Sequence, residues 1–313
     1  MKRILITGAN GQIGSELITE LGGWHGHENV IGLDLQVPRH FIQRKEVGNY
    51  EIMNVMDKIG LQEIVERYDI SVIYHLASLL SATGEMKPDL TWDVNLNGLK
   101  NVLDLAKKYD IQVFWPSSIA AFGPSSPRMN TPQATVLEPN TMYGVTKVAG
   151  ELLCNYYFHK FNVDVRSLRY PGLISYKTLP GGGTTDYAVE IFYEAVRNKR
   201  YTCFVKPGTR LPMMYMPDAI KATVDIMDAS SHKIKVRTSY NLSAISFSAE
   251  ELVAEIKKHI PEFVCVYEPD FHQAIADSWP QNIDDSIARR DWGWEHDYNL
   301  AAMTEDMLKK LKN

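Results

Sequence analysis

Short apolar runs and helical patterns alternate along the first half of the chain. Ile4, Leu5 and Ile6 form the first run, and apolar residues then recur at helical spacing over 12–21. Strand-like runs follow at 30–35, 51–54, 72–76, 112–117 and 164–170, and the helical pattern returns at 58–67, 89–109 and 143–160. The strand-like runs are apolar at consecutive positions rather than alternating, as expected for strands covered on both faces. Alternation of strand and helix predicts an α/β fold with a doubly wound parallel sheet of the Rossmann type. Residues 124–141 carry four prolines and read as a long loop, and loops of that length often serve function. After Tyr170 the rhythm loosens. A glycine-rich stretch over 179–185 precedes helical patterns near 188–198, 218–228, 249–259 and 300–311. The expected organisation is a cofactor-binding domain over 1–175, to which about 213–230 returns, and a smaller C-terminal α+β substrate-binding region over 176–313.

The first strand-to-helix junction reads Thr7-Gly8-Ala9-Asn10-Gly11-Gln12-Ile13-Gly14. Glycines there allow a tight turn, close backbone approach to a pyrophosphate and close helix packing. The free N–H groups and positive dipole end of the helix would then face the phosphates. A glycine cluster alone also fits an ordinary turn. The flanking strand and helix, with an acid about 20 residues on, raise it to a dinucleotide signature. Asp34 is that acid. Its carboxylate can accept from ribose hydroxyls and would repel a 2′-phosphate, and Leu35-Gln36-Val37 brings no arginine to reverse this. NAD is the expected cofactor, rather than NADP.

Tyr143 and Lys147 open the helix after the long loop, on one face at i and i+4. A cation near a phenol lowers its pKa toward the working range of a general base. Ser117 and Ser118 end a strand at the side of the sheet where ligands bind. Ser118 is placed to donate to a substrate oxygen. A surface Tyr–Lys pair and a serine strand cap are the plain alternatives.

These residues resemble the short-chain dehydrogenase/reductase superfamily in its extended, epimerase-like branch. The likeness rests on the glycine motif, Tyr74-His75-Leu76-Ala77-Ser78, Asn95-Leu96-Asn97-Gly98, Ser118 with Tyr143 and Lys147, and Tyr170-Pro171-Gly172. The resemblance implies that Gly8, Gly11, Gln12, Ile13 and Gly14 hold the cofactor with Asp34. It further implies Asn54 and Val55 at the adenine, Leu76, Ala77, Ser78 and Asn95 along the cofactor, Tyr143 and Lys147 also against it with Lys147 orienting the ribose, and Tyr170 and Pro171 near the nicotinamide. Asn54 stands where many members carry Asp; an amide oxygen still accepts from an amino group. Within the branch, Ser78–Glu85, Arg169–Ser175, Pro180–Tyr187, Leu211–Met216, Ser278-Trp279-Pro280 and Asp291-Trp292-Gly293-Trp294 are similar to the L-threonine 3-dehydrogenase subfamily. That likeness implies L-threonine as substrate, with Ser81, Ser118, Tyr143, Thr184, Thr185, Asp186 and Trp279 around it. Ser81 and Thr185 suit the carboxylate, and Asp186 the ammonium group. It also implies a homodimer through helices 89–109 and 143–160, where Trp92, Val94, Leu99, Leu152, Tyr156 and Tyr157 extend beyond one core stripe.

Composition removes other classes. The net charge of −5 leaves no basic field for nucleic acid or anionic lipid. No apolar run approaches the roughly 20 residues that span a bilayer. Thr7-Gly8 ends the first apolar run too early for a signal peptide. Cys154, Cys203 and Cys265 lack paired spacing, which suits the reducing cytoplasm and no structural metal. His25-Gly26-His27 has no further ligands nearby, so no metal is expected. Two rival functions remain: a nucleotide-sugar epimerase or dehydratase that retains NAD, and a non-catalytic NAD-sensing module.

Overall fold

The computed structural model describes residues 2–36, 49–179 and 181–312. Val37 and Pro180, both used in the sequence reading, lie outside the described residues. In chain order the first half runs β1 Ile4–Thr7, α1 Gln12–His25, β2 Val30–Asp34, β3 Tyr50–Ile52, α2 Lys58–Tyr68 and β4 Val72–His75. It continues with α3 Ser81–Met86, α4 Pro88–Trp92, a π-helical turn Asp93–Asn97, α5 Gly98–Tyr109, β5 Gln112–Ser118, α6 Met142–Phe161 and β6 Val165–Tyr170. The second half contains β7 Gly172–Ile174, α7 Tyr187–Arg197, β8 Arg200–Cys203, β9 Arg210–Tyr215, α8 Met216–Asp228 and β10 Tyr240–Asn241. β11 Ile245–Ser248, α9 Ala249–His259, β12 Val264–Tyr267, α10 His272–Asp277, α11 Ser286–Trp292 and α12 Leu300–Lys312 complete it.

The main sheet has seven parallel strands in the order β10-β6-β5-β4-β1-β2-β3. This is the doubly wound arrangement expected, with the strand order reversing between β1 and β4, where such sheets open a ligand crevice. α1 and α8 pack together on one face, in a core with Leu17, Ile18, Ile220 and Val224. α2, α5 and α6 cover the other, through Ile64, Val102, Leu103 and Tyr157. A three-stranded sheet β11-β9-β7 and a two-stranded sheet β12-β8 belong with α7, α9 and α12 to a third core.

Local chemistry explains where the helices start and stop. Asp57 accepts from the Gly60 amide to cap α2, and Thr141 accepts from Gly144 to cap α6. α9 has a capping box of Ser248 and Glu251. α2, α5 and α6 end on left-handed residues, Asp69, Asp110 and Asn162, types that tolerate that conformation. Buried Ile70, Ile111 and Val163 follow and turn each chain into the next strand.

Two expectations need correction. The helix expected over 89–109 is continuous in course but carries the π turn at Asp93–Asn97, because five residues fill a turn that regular α spacing would give to four. Leu99 is fully buried and Tyr157 is 5% exposed with its hydroxyl on Asp104, so neither belongs to an outward apolar face. Helix α3 and strands β7 to β12 were not expected as elements; most are too short for periodicity to register.

Leu103 is fully buried between α2, α5 and α6. Leu103→Ala should lower stability by about 2–5 kcal/mol. The check is a lower urea midpoint with an unchanged denaturant slope, as expected for loss of packing without a change in the unfolded state.

Candidate active site

The site begins at the β1–α1 turn. Gly8 has φ +71°, and a Cβ there would stand 2.7 Å from the Ala77 nitrogen. A Cβ on Gly14 would stand 2.3 Å from the Gly8 carbonyl oxygen. Only glycine permits either approach. Gly11 precedes α1 with no side-chain cap, so the first amides of the helix point toward the cavity without a local acceptor. An uncapped helix N-terminus beside a glycine turn fits the pyrophosphate of a dinucleotide.

A cavity of about 240 Å³ lies at the C-terminal ends of the strands. The glycine turn forms one wall, and the ends of β5 and β6 with the start of α6 form another. Of the expected residues, Gly8, Gly11, Gln12, Ile13, Gly14, Leu76, Ser78, Ser118, Tyr143, Lys147, Tyr170 and Pro171 line it. Ser81, Thr184, Thr185, Asp186 and Trp279 line it as well, from segments far apart in sequence. Leu80, Ile119 and Leu173 also line it and were not expected; each is an apolar neighbour of an expected residue, with no signal of its own.

Asp34, Asn54, Val55, Ala77 and Asn95 are not among the lining residues. Asp34 ends β2, next to β1, and its oxygens accept from the amides of Asn10 (2.9 Å) and Leu35 (2.7 Å). Each oxygen keeps a further lone pair. Asn54 accepts from the Met56 amide, and Val55 is buried against Gly98. Asn95 bonds the loop after β4 from behind the cavity wall. Its amide oxygen accepts from Leu79 N (2.8 Å) and Ser78 Oγ (3.1 Å), while its nitrogen donates to the Leu79 carbonyl and Thr146 Oγ1 (both 3.1 Å). It lies in the π turn, which turns this one side chain toward the loop after β4.

Tyr143 sits in the first turn of α6, with Ser118 beside its hydroxyl. Burial pushes the phenol up to about 12, and the Ser118 hydrogen bond works against that. Lys147 is 2% exposed. Its ammonium donates to the Pro116 carbonyl at 2.7 Å and lies 5.2 Å from the centre of the Tyr143 ring. Burial pulls that ammonium down to about 7, while Cys154 and Glu151 hold it up. The expected lowering of the phenol pKa by Lys147 is therefore not the dominant influence here; burial is.

The opposite wall is built around the glycine-rich loop. Asp186 Oδ2 accepts from the amides of Gly182 (2.9 Å) and Gly183 (2.7 Å), which folds the loop back on itself. Burial raises the Asp186 carboxyl, and the loop amides oppose that. Ser81 and Thr184 pair their hydroxyls at 3.4 Å. Trp279 is 4% exposed, and its carbonyl accepts from Arg128 of the long proline-rich loop. That loop therefore braces the wall. Among the described residues no group of three or more metal-type ligands occurs, and no helix is long and apolar enough to cross a membrane.

A doubly wound sheet, a glycine turn under an uncapped helix and a tyrosine–lysine–serine set at the strand ends together define a Rossmann-fold oxidoreductase. The chain belongs to the NAD dependent epimerase/dehydratase family, which it matches over residues 4–243. An uncharacterized epimerase/dehydratase of Staphylococcus haemolyticus is 51% identical, over 100% of this chain and 98% of its own. L-threonine dehydrogenase from Clostridium difficile is 53% identical with a TM-score of 0.97, covering 100% of this chain and 98% of that one. A monomeric L-threonine 3-dehydrogenase from a metagenome is 50% identical with a TM-score of 0.95, covering 99% and 98%.

Gly8→Ala introduces both a left-handed alanine and a clash with the Ala77 backbone. NAD binding should fall at least 10-fold, a loss of about 1.4 kcal/mol or more. Calorimetric titration of the folded variant checks it; near-normal affinity would remove the glycine turn from the binding site.

Proposed function

We propose that this protein oxidises L-threonine at its β-hydroxyl to 2-amino-3-ketobutyrate, with NAD as cofactor. The observation that carries this reading is the convergence of Tyr143, Ser118 and Lys147 with the glycine turn in one cavity. Full-length likeness to L-threonine dehydrogenases at about half identity supports the choice of substrate.

In this reading residues 1–175, with α8 returning, hold the cofactor, and 176–313 mainly supply the substrate wall. Asp34 accepts from the adenosine ribose and selects NAD over NADP, while the Asn54–Val55 segment meets the adenine. NAD, when held there, would supply the acceptor for the hydride of the β-carbon. Tyr143 takes the hydroxyl proton. Ser118 donates to the same oxygen and holds it. Lys147 stands over the Tyr143 ring and supplies positive charge as the phenolate forms. Ser81, Thr184 and Thr185 bond the substrate carboxylate, and Trp279 closes the pocket. Asp186 is the one carboxylate among the lining residues, which fits it to the ammonium group. The three free thiols suit work in the cytoplasm.

L-threonine with NAD should yield stoichiometric NADH, and NADP should serve far less well. UDP-sugar epimerisation without threonine turnover would replace this reading with the epimerase one; NAD binding without any turnover would point to a sensor. Tyr143→Phe should reduce kcat by about 10²–10⁴-fold, the usual contribution of general base catalysis, with little change in NAD affinity. Because burial keeps the phenol protonated, the ionised fraction grows with pH. Wild-type kcat should therefore climb as pH rises, and the Phe variant should lose that climb. A folded variant with near-normal kcat contradicts the assignment.

We also propose a homodimer through helices 89–109 and 143–160, where α4 and α6 pack together and leave Leu90, Trp92, Leu152 and Tyr156 exposed. Exposed apolar side chains on two packed helices fit an interface. Analytical ultracentrifugation should give a dimer, and Leu152→Glu should shift it toward monomer. A wild-type monomer at micromolar concentration rules the dimer out.

A further inference from the structure

One turn beyond Lys147, on the same face of α6, lies Glu151, 1% exposed. Its Oε1 accepts from Ser117 Oγ at 2.6 Å and from Arg169 Nε at 2.8 Å, and its Oε2 accepts from Arg169 Nη2 at 2.7 Å. Arg169 is 3% exposed and lies on β6, directly across from Ser117 in the sheet register. Its remaining nitrogen donates to the Gln133 carbonyl of the long loop and to Asn241 Oδ1 on β10.

A buried ion pair is a poor device for stability. Removing two charges from water costs several kcal/mol each, and apolar residues of similar volume often serve as well or better. The placement of this pair points to another role. Lys147 grips the Pro116 carbonyl, and Glu151 grips the hydroxyl of the next residue, Ser117. Two successive turns of α6 are thereby pinned to two successive residues of β5, immediately before Ser118. The same carboxylate places negative charge near the buried ammonium. The other titratable groups around that ammonium are Tyr143 and Cys154 on α6 and His75 on β4.

We propose that Glu151, held by Arg169 and Ser117, is a positioning residue that sets both the place and the charge of the Lys147 ammonium. The proposal rests on the reading of Tyr143 and Lys147 as the reacting pair. It explains why α6 carries a carboxylate inside the core, and why β6 carries a buried arginine opposite Ser117. Burial opposes the charged form of Lys147, and Glu151 offsets part of that.

The test measures Lys147 directly. Protein labelled with 13C at lysine Cε is titrated by NMR, with the Lys147 signal assigned by its loss in Lys147→Met. In Glu151→Gln the Lys147 midpoint should fall by about one pH unit or more, the scale for loss of a nearby opposite charge. In Arg169→Met, where the carboxylate loses its competing cation, the midpoint should rise. A purely structural role would not move the two midpoints in opposite directions. In Glu151→Gln, kcat should also fall at least 10-fold. An unmoved Lys147 midpoint in folded Glu151→Gln overturns the proposal. Where that variant does not fold, Glu151→Gln is measured in the Arg169→Met background, which leaves no unpaired buried charge; the double variant's midpoint should lie below that of Arg169→Met, and an equal midpoint overturns the proposal. The titration needs no turnover, so it decides the role of Glu151 even if L-threonine proves not to be the substrate.

Discussion

The approach of α1 to the end of β1 is the contact on which the rest of the site depends. Gly8 and Gly14 meet with no room for a Cβ on either, and Gly8 also meets the backbone of Ala77. The turn after β1 is therefore held against the turn after β4 at the point where the strand order reverses. The helix dipole, the free amides and the cavity all follow from that closeness. Side chains on these glycines would move the helix outward and fill the crevice with protein.

Around this contact the buried polar groups are arranged in pairs that leave few freedoms. Thr7 and His75, opposite each other on β1 and β4, share a hydrogen bond of 2.8 Å. Burial, and then the charge of Lys147, hold the His75 imidazole neutral, well below its ordinary range, at about 3. Asn95 uses both ends of its amide to hold the loop that carries Ser78. These groups do not line the cavity, yet they fix the elements that do. In a low-dielectric interior such bonds are held firmly, because each broken one strands a polar group.

Much of this was legible beforehand. The helix boundaries of α2, α6 and α9 lie within a residue or two of those read from periodicity, and the doubly wound parallel sheet follows from β–α alternation. The glycine turn, Ser118, Tyr143 and Lys147 were readable because each falls at a junction whose geometry is set by adjacent residues. Asp69-Ile70, Asp110-Ile111 and Asn162-Val163 were a usable signal that went unread: a left-handed residue, then a buried apolar one, announces each return to the sheet. The short strands β8 and β12 went unread, as they lie past Tyr170 where the regular alternation loosens. Glu151 stood in plain view at i+4 from Lys147, but a helical glutamate normally reads as solvated surface.

What the chain determines by itself is therefore local: periodicities, caps and turns, the glycine cluster and the spacing of Tyr143 to Lys147. Those depend on dihedral preferences and side-chain directions within a few residues. Only the folded molecule decides which distant groups meet. It brings Thr184 to Ser81 and Trp279 to the wall of the cavity, turns Asp186 onto its own loop, and places Arg169 against Glu151. It also decides that Leu99 and Tyr157 face inward while Leu152 and Tyr156 remain exposed. These outcomes depend on burial, and burial is a property of how whole layers pack. The same packing sets the protonation of Tyr143 and Lys147, because the cost of a charge depends on how completely water is excluded around it.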